Sequence, residues 1–343
     1  MKKLEKKVVI KDIAKEAGVA ISTVSFVLNN SRNVTKKTKD RVLKAIKKLN
    51  YRPSSYARGL RTKTTKIIGV IIPDISTPFY SQVVIGLEQA AREREYNIIL
   101  VNTHYNQEEE KKQVMNLINN FIDGIILLSG FNNSEFVKKL HSLNIPIVLA
   151  DREIDNPDIP SVLIDNTFAI EKLVDYVSSM GHKNIGYVST DIKDHTVLKD
   201  RYKGYLNGLK KNNTPFKKDF IYLDKFNESK TSIISYDKLK EFINSHKLPT
   251  VYIASSDYTA YILVRALKDE GYTIPQDISV AGFGNLKFNS FFDPLLTTMK
   301  QPKKKLGYES MNLLINIINN KKINNKKILL ETDLIMRESV IKL

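Results

Sequence analysis

The apolar positions near the start of the chain predict two short helices joined by a turn. In the first helix the apolar residues recur at spacings of three and four, at Ile13, Ala14 and Ala17. In the second they recur in the same way, at Val24, Val27 and Leu28. Gly18 lies between the two stripes and suits a tight turn. The pattern predicts a helix-turn-helix, a motif whose second helix enters the major groove of DNA.

A third helix is predicted to complete an all-α head over residues 1–52. Its cap candidates are Thr35 and Thr38, and its inner stripe consists of Val42, Leu43, Ile46 and Leu49. Pro53 ends the head, and residues 53–65 are predicted to form a hinge. Within this hinge, residues 54–61 can form only a short helix with Gly59 inside it, so we expect a helix that forms conditionally.

From Lys66 onward, short apolar runs alternate with amphipathic stretches, which predicts parallel strands joined by helices. The predicted strands are Ile67–Ile72, Ile98–Val101, Gly124–Leu128, Ile147–Leu149, Val162–Ile164, Ile185–Val188, Phe220–Leu223, Val251–Ala254 and Ser279–Phe283. Two predicted crossover helices cover residues 81–95 and 109–121, and the Asn- and Lys-rich stretch 319–327 is predicted to be a loop.

These two sets of strands predict an α/β body at residues 66–343, built from two doubly wound parallel-sheet subdomains. We assign 66–164 and 302–325 to the first subdomain, and 165–299 and 328–343 to the second. Ligands bind such sheets at the carboxyl ends of the strands. This rule points to four segments, Asp74–Tyr80, Asp151–Arg152, Ser255–Asp257 and Gly282–Asn285.

Charge is concentrated in the first 65 residues, which hold 18 Lys and Arg against 4 Asp and Glu, whereas the rest of the chain holds 36 against 33. Such a patch neutralises DNA phosphates, although a solvated basic tail has the same composition. The chain has no cysteine, no secretory signal at its start and no apolar run of 18 residues. We therefore expect a cytoplasmic protein without disulfides or membrane contact.

Enzyme motifs are absent from the sequence. There is no phosphate loop, no dinucleotide-binding glycine pattern after a strand, no nucleophile elbow and no pair of histidines at metal-ligand spacing. The five histidines are scattered, and His182 is most simply structural. We expect no catalysis, no cofactor and no metal site.

The chain closely resembles the LacI/GalR family of bacterial transcriptional regulators from about Val8 to Ser339. The motifs VIKDIAKEAGVAISTVSFVLN and VTKKTKDRVLKAIKKLNYRP resemble the head of that family, and YRPSSYARGLRTKTT resembles its hinge. IIGVIIPDISTPFY, GHKNIGYVS, DISVAGFGN, LTTMKQP and DLIMRES resemble its regulatory domain. Their correct order over the whole chain makes the resemblance specific. It implies a helix-turn-helix head on a periplasmic-binding-protein-like body.

Several DNA contacts are implied by the resemblance. Base-reading positions are Ile21, Ser22 and Phe26, and positions nearer the phosphates are Thr23 and Ser25. Many family members have arginine in place of Phe26. Phenylalanine either presses on a thymine methyl group or packs inside the head. In the hinge, Leu60 matches a leucine that wedges into the minor groove, assisted by Ala57 and Arg58; the alternative is a linker leucine that covers a domain junction.

An effector pocket is also implied by the resemblance. Its residues are Thr77, Phe79, Tyr80, Asp151, Arg152, Arg201, Phe226, Ser256, Gly284 and Gln301. Ser256 and Gly284 replace the asparagine and aspartate of many sugar-binding members, which favours a phosphorylated effector while leaving a sugar possible. The aromatic residues have ordinary cleft packing as their alternative, and Asp151 and Arg152 have a structural ion pair as theirs.

Taken together, these features predict a transcriptional repressor that binds a palindromic DNA operator as a homodimer, under control of a sugar or phosphorylated metabolite. A small head makes too few contacts alone, so paired half-sites supply the affinity. The alternative is a periplasmic-type sugar-binding transport protein, which shares the two-subdomain body. The basic head and the missing export signal disfavour it.

Overall fold

The structure is a computed structural model that describes residues 8–28, 34–51, 64–120, 122–128, 134–192, 195–224 and 234–343. The chain divides into two compact units. Met1–Lys66 contains the head and the hinge, and Ile67–Leu343 is the body. Four residues proposed from the sequence lie outside the described residues, namely Ala57, Arg58, Leu60 and Phe226. The conditional helix predicted for the hinge also lies outside them.

The head contains the three predicted helices. They are α1 (Ile10–Ala17), α2 (Ile21–Leu28) and α3 (Lys36–Lys48). Thr35 is the cap of α3, because its side-chain oxygen accepts a hydrogen bond from the amide of Thr38 at 3.4 Å. The three helices share a buried core formed by Ile13, Ala14, Ala17, Val24, Val27, Val42 and Ala45.

One residue of the predicted inner stripe of α3 is misplaced. Leu43 is 47% exposed, whereas Val42 and Ala45 are buried. Successive residues of an α-helix are about 100° apart, so Leu43 turns away from the face that Val42 presents to the core. The prediction was wrong for Leu43, because the core face of α3 holds the smaller Ala45 instead.

Gly18 forms the turn between α1 and α2, as predicted. Its φ of 58° lies in the left-handed region, which glycine adopts at little cost. The amide of Val19 donates to the carbonyl oxygen of Ala14 at 3.0 Å and closes the end of α1. The turn therefore ends the first helix and allows α2 to begin three residues later.

The body contains two six-stranded sheets. The first consists of β1 (Ile67–Ile72), β2 (Asn97–Asn102), β3 (Gly124–Leu127), β4 (Ile147–Ala150), β5 (Ser161–Ile164) and β11 (Lys327–Leu330). Its strand order is β11-β5-β4-β3-β1-β2, and all its pairs are parallel. β1, β3, β4 and β5 are almost entirely buried and consist mainly of Ile, Val and Leu, as covered parallel strands do.

The second sheet consists of β6 (Ile185–Thr190), β7 (Ile221–Asp224), β8 (Val251–Ala254), β9 (Ser279–Gly284), β10 (Thr297–Lys300) and β12 (Asp333–Ile335). Its order is β12-β10-β9-β8-β6-β7. β12 runs antiparallel to β10, and the other pairs are parallel. The nine strands predicted from the sequence are all present, with ends within two residues of the predicted ones.

Helices cover both sheets. They are α4 (Pro78–Arg92), α5 (Gln107–Asn119), α6 (Ser134–Ser142), α7 (Asn166–Ser179), α8 (Thr196–Lys211), α9 (Tyr236–Ser245), α10 (Asp257–Asp269) and α11 (Lys303–Ile318). The two predicted crossover helices correspond to α4 and α5, which begin two or three residues earlier than predicted. Among the described residues, every helix is too short or too polar to cross a membrane.

The predicted subdomain boundary near the end of the chain needs correction. We assigned residues from 328 onward to the second subdomain, but β11 pairs with β5 of the first sheet, with Leu330 opposite Ile164. Leu330 is buried in the core of the first subdomain, and Ile328 packs against the same core. Because Leu330 is buried there, β11 stays in the first sheet. The next strand, β12, is the one that joins the second sheet. The predicted loop at 319–327 is irregular up to residue 326, and Lys327 begins β11.

Candidate functional site

The second helix of the head has one buried face and one exposed face. Val24 and Val27 are buried, whereas Ile21 and Phe26 are 47% and 46% exposed. Ser22 is also exposed. This exposure leaves the side chains of α2 available for contact with a partner. Phe26 is therefore not a core residue of the head, which favours base contact over the internal packing that the sequence left open.

Thr23 and Ser25 occupy the borders of this exposed face. Both are half-buried, between the core residues and the outward ones. A position beside the exposed face is consistent with contact to the DNA backbone. The five head residues predicted to contact DNA thus lie on α2, with three facing outward and two at the border.

A cavity of about 400 Å³ lies in the body at the carboxyl ends of the strands of both sheets. Eight of the ten residues predicted for the pocket line it, namely Thr77, Phe79, Tyr80, Asp151, Arg201, Ser256, Gly284 and Gln301. The four strand ends that the sequence pointed to all contribute to its wall. The topology explains this, because parallel strands of one sheet end on the same edge.

Arg201 is held firmly in the wall of the cavity by neutral partners. Its Nε donates to Asn166 Oδ1 and its Nη1 donates to the carbonyl oxygen of Ser255, both at 2.8 Å. The guanidinium also stacks 4.0 Å from the ring centre of Phe283. Neither hydrogen bond uses Nη2 or neutralises the charge, so Arg201 keeps a positive charge in a fixed orientation in the cavity wall.

Asp151 follows β4 and supplies a carboxylate to the cavity. Its φ of 54° is unusual for a residue other than glycine, and such strain often occurs at binding sites. Its Oδ1 is buried and has no hydrogen-bond partner among the described residues. Burial raises the pKa of Asp151 to about 7, although the positive charge of Arg201 opposes the rise. The carboxyl of Asp151 is therefore easily protonated near neutral pH and retains an unused acceptor atom, Oδ1, within the described part of the chain.

Asp257 is a cavity residue that the predicted site omitted, although the sequence pointed to its segment. It is fully buried at the start of α10. It accepts hydrogen bonds from Thr298 Oγ1 at 2.6 Å, the amide of Leu286 at 2.7 Å and Asn289 Nδ2 at 3.2 Å. These bonds join β10 and the segment after β9 to α10. Asp257 organises the wall of the cavity.

The local backbone explains why residue 256 is a serine and residue 284 a glycine. Ser256 caps α10, because its Oγ accepts from the amide of Thr259 at 3.1 Å. Gly284 has a φ of 138°, which side chains rarely tolerate. The Gly284 carbonyl oxygen accepts a hydrogen bond from Lys303 Nζ. Lys303 is a second cavity residue that the sequence did not reveal, since it stands in a run of three lysines that is typical of a solvated helix start.

The aromatic residues of the cavity both pack and line it. Phe79 and Tyr80 meet edge to face with their ring centres 5.2 Å apart, and both pack against the core of the first subdomain. Tyr80 is hydrogen-bonded to Tyr105. Burial is the largest cause of the raised pKa of Tyr80, which keeps the phenol neutral. Phe79 and Tyr80 therefore pack against the core with part of each side chain and line the cavity with another part.

Arg152 is not part of the cavity wall. Its side chain is buried, and its Nη1 lies 3.7 Å from Glu110 Oε1 on α5. The predicted ligand contact is therefore misplaced, and the alternative ion pair exists with Glu110 instead of Asp151. The backbone leaves the extended conformation of β4 at Asp151, and the side chain of the next residue turns toward Glu110 instead of the cavity.

Comparison with known proteins agrees with this architecture. Residues 9–54 match the model of bacterial regulatory proteins of the lacI family, and residues 65–338 match that of periplasmic binding proteins and the sugar binding domain of the LacI family. The HTH-type transcriptional regulator RegA of Clostridium saccharobutylicum is 35% identical over 332 residues, covering 97% of this chain and 99% of that protein. Catabolite control protein A of Priestia megaterium is 34% identical with the same coverage.

A solved structure shares the fold over nearly the whole length. The lac repressor dimer bound to operator and the anti-inducer ONPF superposes with a TM-score of 0.84 at 24% identity, covering 98% of this chain and 100% of that one. The fold of this chain is therefore shared with that structure. With family models matching both units and relatives above 30% identity over almost all of the chain, the protein belongs to the lacI family of bacterial regulatory proteins.

Proposed function

We propose that this regulator is a transcriptional repressor that binds a palindromic DNA operator as a homodimer and responds to a small-molecule effector. The observation that carries the proposal is the exposed face of α2, where Ile21, Ser22 and Phe26 point away from the core of the head. Side chains in this arrangement reach base edges when the second helix of a helix-turn-helix enters the major groove.

The charge of the head supports DNA as the target. Residues 1–65 carry 18 basic against 4 acidic residues, and most of the net charge of +17 is therefore in the head and hinge. Phosphate neutralisation provides affinity without sequence preference, so base contacts from α2 are needed for specificity. The role puts the protein in the cytoplasm with its DNA, and it requires no catalytic step, cofactor or metal ion.

An exposed sheet edge supports the homodimer. β2 is the last strand of the first sheet, and its residues Ile99 and Leu100 are 40% and 39% exposed. Apolar edge strands favour association with another chain. The lac repressor in the structural comparison is itself a dimer on its operator. Two heads then contact half-sites about one helical turn apart.

The cavity supports effector control. It combines a buried guanidinium at Arg201 with a carboxylate at Asp151, and aromatic rings form much of the remaining wall. Polar groups that converge in an otherwise apolar pocket are typical of small-molecule sites. The wall is formed by both sheets, so a ligand with different affinities for two arrangements of the subdomains shifts the equilibrium between them.

Selection from random DNA duplexes tests the DNA-binding function. We expect the full-length chain to enrich a palindrome of roughly 14 to 20 base pairs. Ile21→Ala should weaken binding to the selected site by about tenfold, because base contacts are worth about 1–3 kcal/mol. Leu43→Ala removes an equally exposed apolar side chain from α3 and should change affinity less than twofold. Enrichment of asymmetric sites only, or equal effects of the two variants, would contradict the proposal.

Thermal melting in the presence of sugars, sugar phosphates and nucleosides tests the effector function, because ligands of the native state raise the melting temperature. Arg201→Ala should reduce the affinity of any stabilising compound by more than twofold, since a charge-assisted hydrogen bond contributes more than about 0.4 kcal/mol. Arg337→Ala provides a control, because Arg337 is a part-buried arginine of the same unit that does not line the cavity. If both variants bind the compound like the wild type, the proposed site is wrong.

A further inference from the structure

Lys303 places a buried ammonium group in the cavity wall. The residue is 8% exposed and is the first residue of α11. Its Nζ donates to the carbonyl oxygen of Gly284, which uses one of three N–H donors. A buried lysine is costly to the fold unless its charge has a use or a partner. Burial lowers the pKa of Lys303 to about 8, so the group is mostly charged near neutral pH.

A second cation acts on the same space. The positive charges of Arg201 and Lys303 repel each other enough to contribute to the lowered pKa of the lysine. Four helices also begin at this cavity, with α4, α8, α10 and α11 each contributing a first-turn residue to the lining. Helix N-termini carry partial positive charge and favour anions. The helix ends and the two cations thus reinforce one another.

Two of the carboxylates in the lining already bind protein donors. Asp257 accepts the three hydrogen bonds described above, and Asp74 accepts from the amide and hydroxyl of Ser76. Both are committed to holding backbone segments. The remaining carboxylate, Asp151, retains an unpartnered Oδ1 within the described part of the chain. Asp151 is therefore the acceptor that remains for a hydroxyl group of a ligand.

Gln301 supplies an independent sign that the cavity is built for a polar ligand. The side chain is 7% exposed and lines the cavity. Its Nε2 is buried and has no hydrogen-bond partner among the described residues. A buried amide without a partner costs about 1–3 kcal/mol. An acceptor atom on a ligand removes that cost, and Gln301 is only two residues from Lys303.

We propose that the cavity recognises a hydroxylated compound through an oxyanion group, a phosphate or a carboxylate, that accepts hydrogen bonds from Lys303, Arg201 and Gln301. Asp151 accepts a hydrogen bond from a hydroxyl of the same compound. The inference rests on the proposed effector function and specifies the chemical class of the effector. Lys303 thus supplies the second cation that the sequence had assigned to Arg152.

The experiment compares thermal melting of the full-length chain in phosphate, acetate and chloride at equal ionic strength. We expect phosphate or acetate to raise the melting temperature above its value in chloride. Lys303→Met should weaken the apparent affinity for that anion about tenfold or more, since hydrogen bonds to charged groups are the strong ones. Phosphate is also excluded from protein surfaces and stabilises folded proteins in general, so only the part of each response that is lost in Lys303→Met is counted. Such a response to phosphate alone identifies a phosphate ester, and such a response to acetate identifies a carboxylic acid.

Two matched variants separate the cavity from the basic head, which also attracts anions. Lys305→Met removes a charge from an exposed position of the same helix and should leave the anion response unchanged. Lys303→Arg keeps the charge and should keep most of the response. Equal melting in all three salts, or an unchanged response in Lys303→Met, overturns the inference.

A direct measurement covers the case in which Lys303→Met does not fold. The Nζ resonance of Lys303, assigned by its loss in Lys303→Arg, should shift on addition of phosphate and not of chloride. An unchanged resonance overturns the inference. The head makes the base contacts, so a chain that selects a palindrome but ignores oxyanions refutes only this inference. A chain that binds oxyanions through Lys303 but selects no DNA refutes the proposed repressor.

Discussion

Arg41 on α3 donates a hydrogen bond from Nη2 to the carbonyl oxygen of Ala17, the last residue of α1, at 2.6 Å. The same nitrogen also contacts the carbonyl oxygen of Gly18 at 3.2 Å. These carbonyls are at the end of a helix, where a cation is electrostatically favourable. Arg41 thus connects the third helix to the turn that sets the direction of α2.

Loss of this connection should destabilise the head. We expect Arg41→Ala to lower the stability of the head by about 1–2 kcal/mol, because two helix-end carbonyls lose a charged donor. Hydrogen exchange of the α1 and α2 amides in the full-length chain measures the effect without interference from the body. Lys44→Ala removes an exposed charge from the same helix and should change protection little. Equal effects of both variants would show that the hydrogen bonds of Arg41 contribute nothing.

Phe26 should determine part of the base preference. We expect Phe26→Arg to shift the selected site toward a guanine in each half-site, because arginine can donate two hydrogen bonds to that base. Sequencing of duplexes selected by both proteins provides the comparison. Leu43→Arg adds the same charge at an exposed position of α3 and should leave the base preference as it is. An unchanged preference in Phe26→Arg would place residue 26 away from the bases.

The spacing of apolar residues was sufficient to predict the helices of the head and nine strands of the body. The reason is that a buried face requires apolar residues at regular positions along its element. It failed for β11, where Lys327–Leu330 is too short to show which sheet it joins. Its place in the first sheet is shown only by the tertiary contacts of Leu330 in the core of the first subdomain. Leu43 was misassigned for a related reason, because residue size does not determine which helix face meets the core.

The sequence predicted which strand ends line the cavity. It did not predict which individual side chains point into the cavity. Asp151 and Arg152 are neighbours in the sequence, yet one lines the cavity and the other pairs with Glu110. Lys303 was missed because nothing local distinguishes it from the two exposed lysines that follow it. Its Nζ donates to the carbonyl oxygen of Gly284, which is 19 residues away in the chain, so no local pattern indicates the contact.

The hinge should contribute to specific binding only, although its residues lie outside the described part of the chain. We expect Leu60→Ala to weaken binding to the selected palindrome tenfold or more and to leave binding to random DNA nearly unchanged, because an apolar wedge acts on one kinked step. Titrations of both duplexes at two salt concentrations measure this. Lys63→Ala should weaken both equally, since phosphate contacts carry no sequence information. If Leu60→Ala weakens binding to both duplexes equally, Leu60 does not act as a wedge in the minor groove.

His182 connects the second sheet to the end of the chain. The residue is fully buried, and its Nε2 donates to the carbonyl oxygen of Ile341 at 3.0 Å. Its Nδ1 lies 2.9 Å from the hydroxyl of Thr250, which itself donates to the carbonyl oxygen of Asn184 at 3.0 Å. Burial lowers the pKa of His182, and the hydrogen bond to Ile341 opposes that change only in part. The folded body therefore prefers the neutral imidazole.

Acid should destabilise the body through this histidine. An unfolded histidine has a pKa of about 6.5, so below that pH the unfolded chain binds a proton that the folded chain does not. The stability is therefore fully present well above pH 6.5, and it decreases as the pH falls through about 6.5 toward the lower pKa of the folded state. Melting temperatures at pH 7.5 and 5.5 measure the difference. His182→Gln should be less stable at pH 7.5 but should lose less on acidification than the wild type. His246→Gln, at an exposed position, should keep the pH dependence of the wild type. If His182→Gln also keeps it, another group is responsible for the loss of stability.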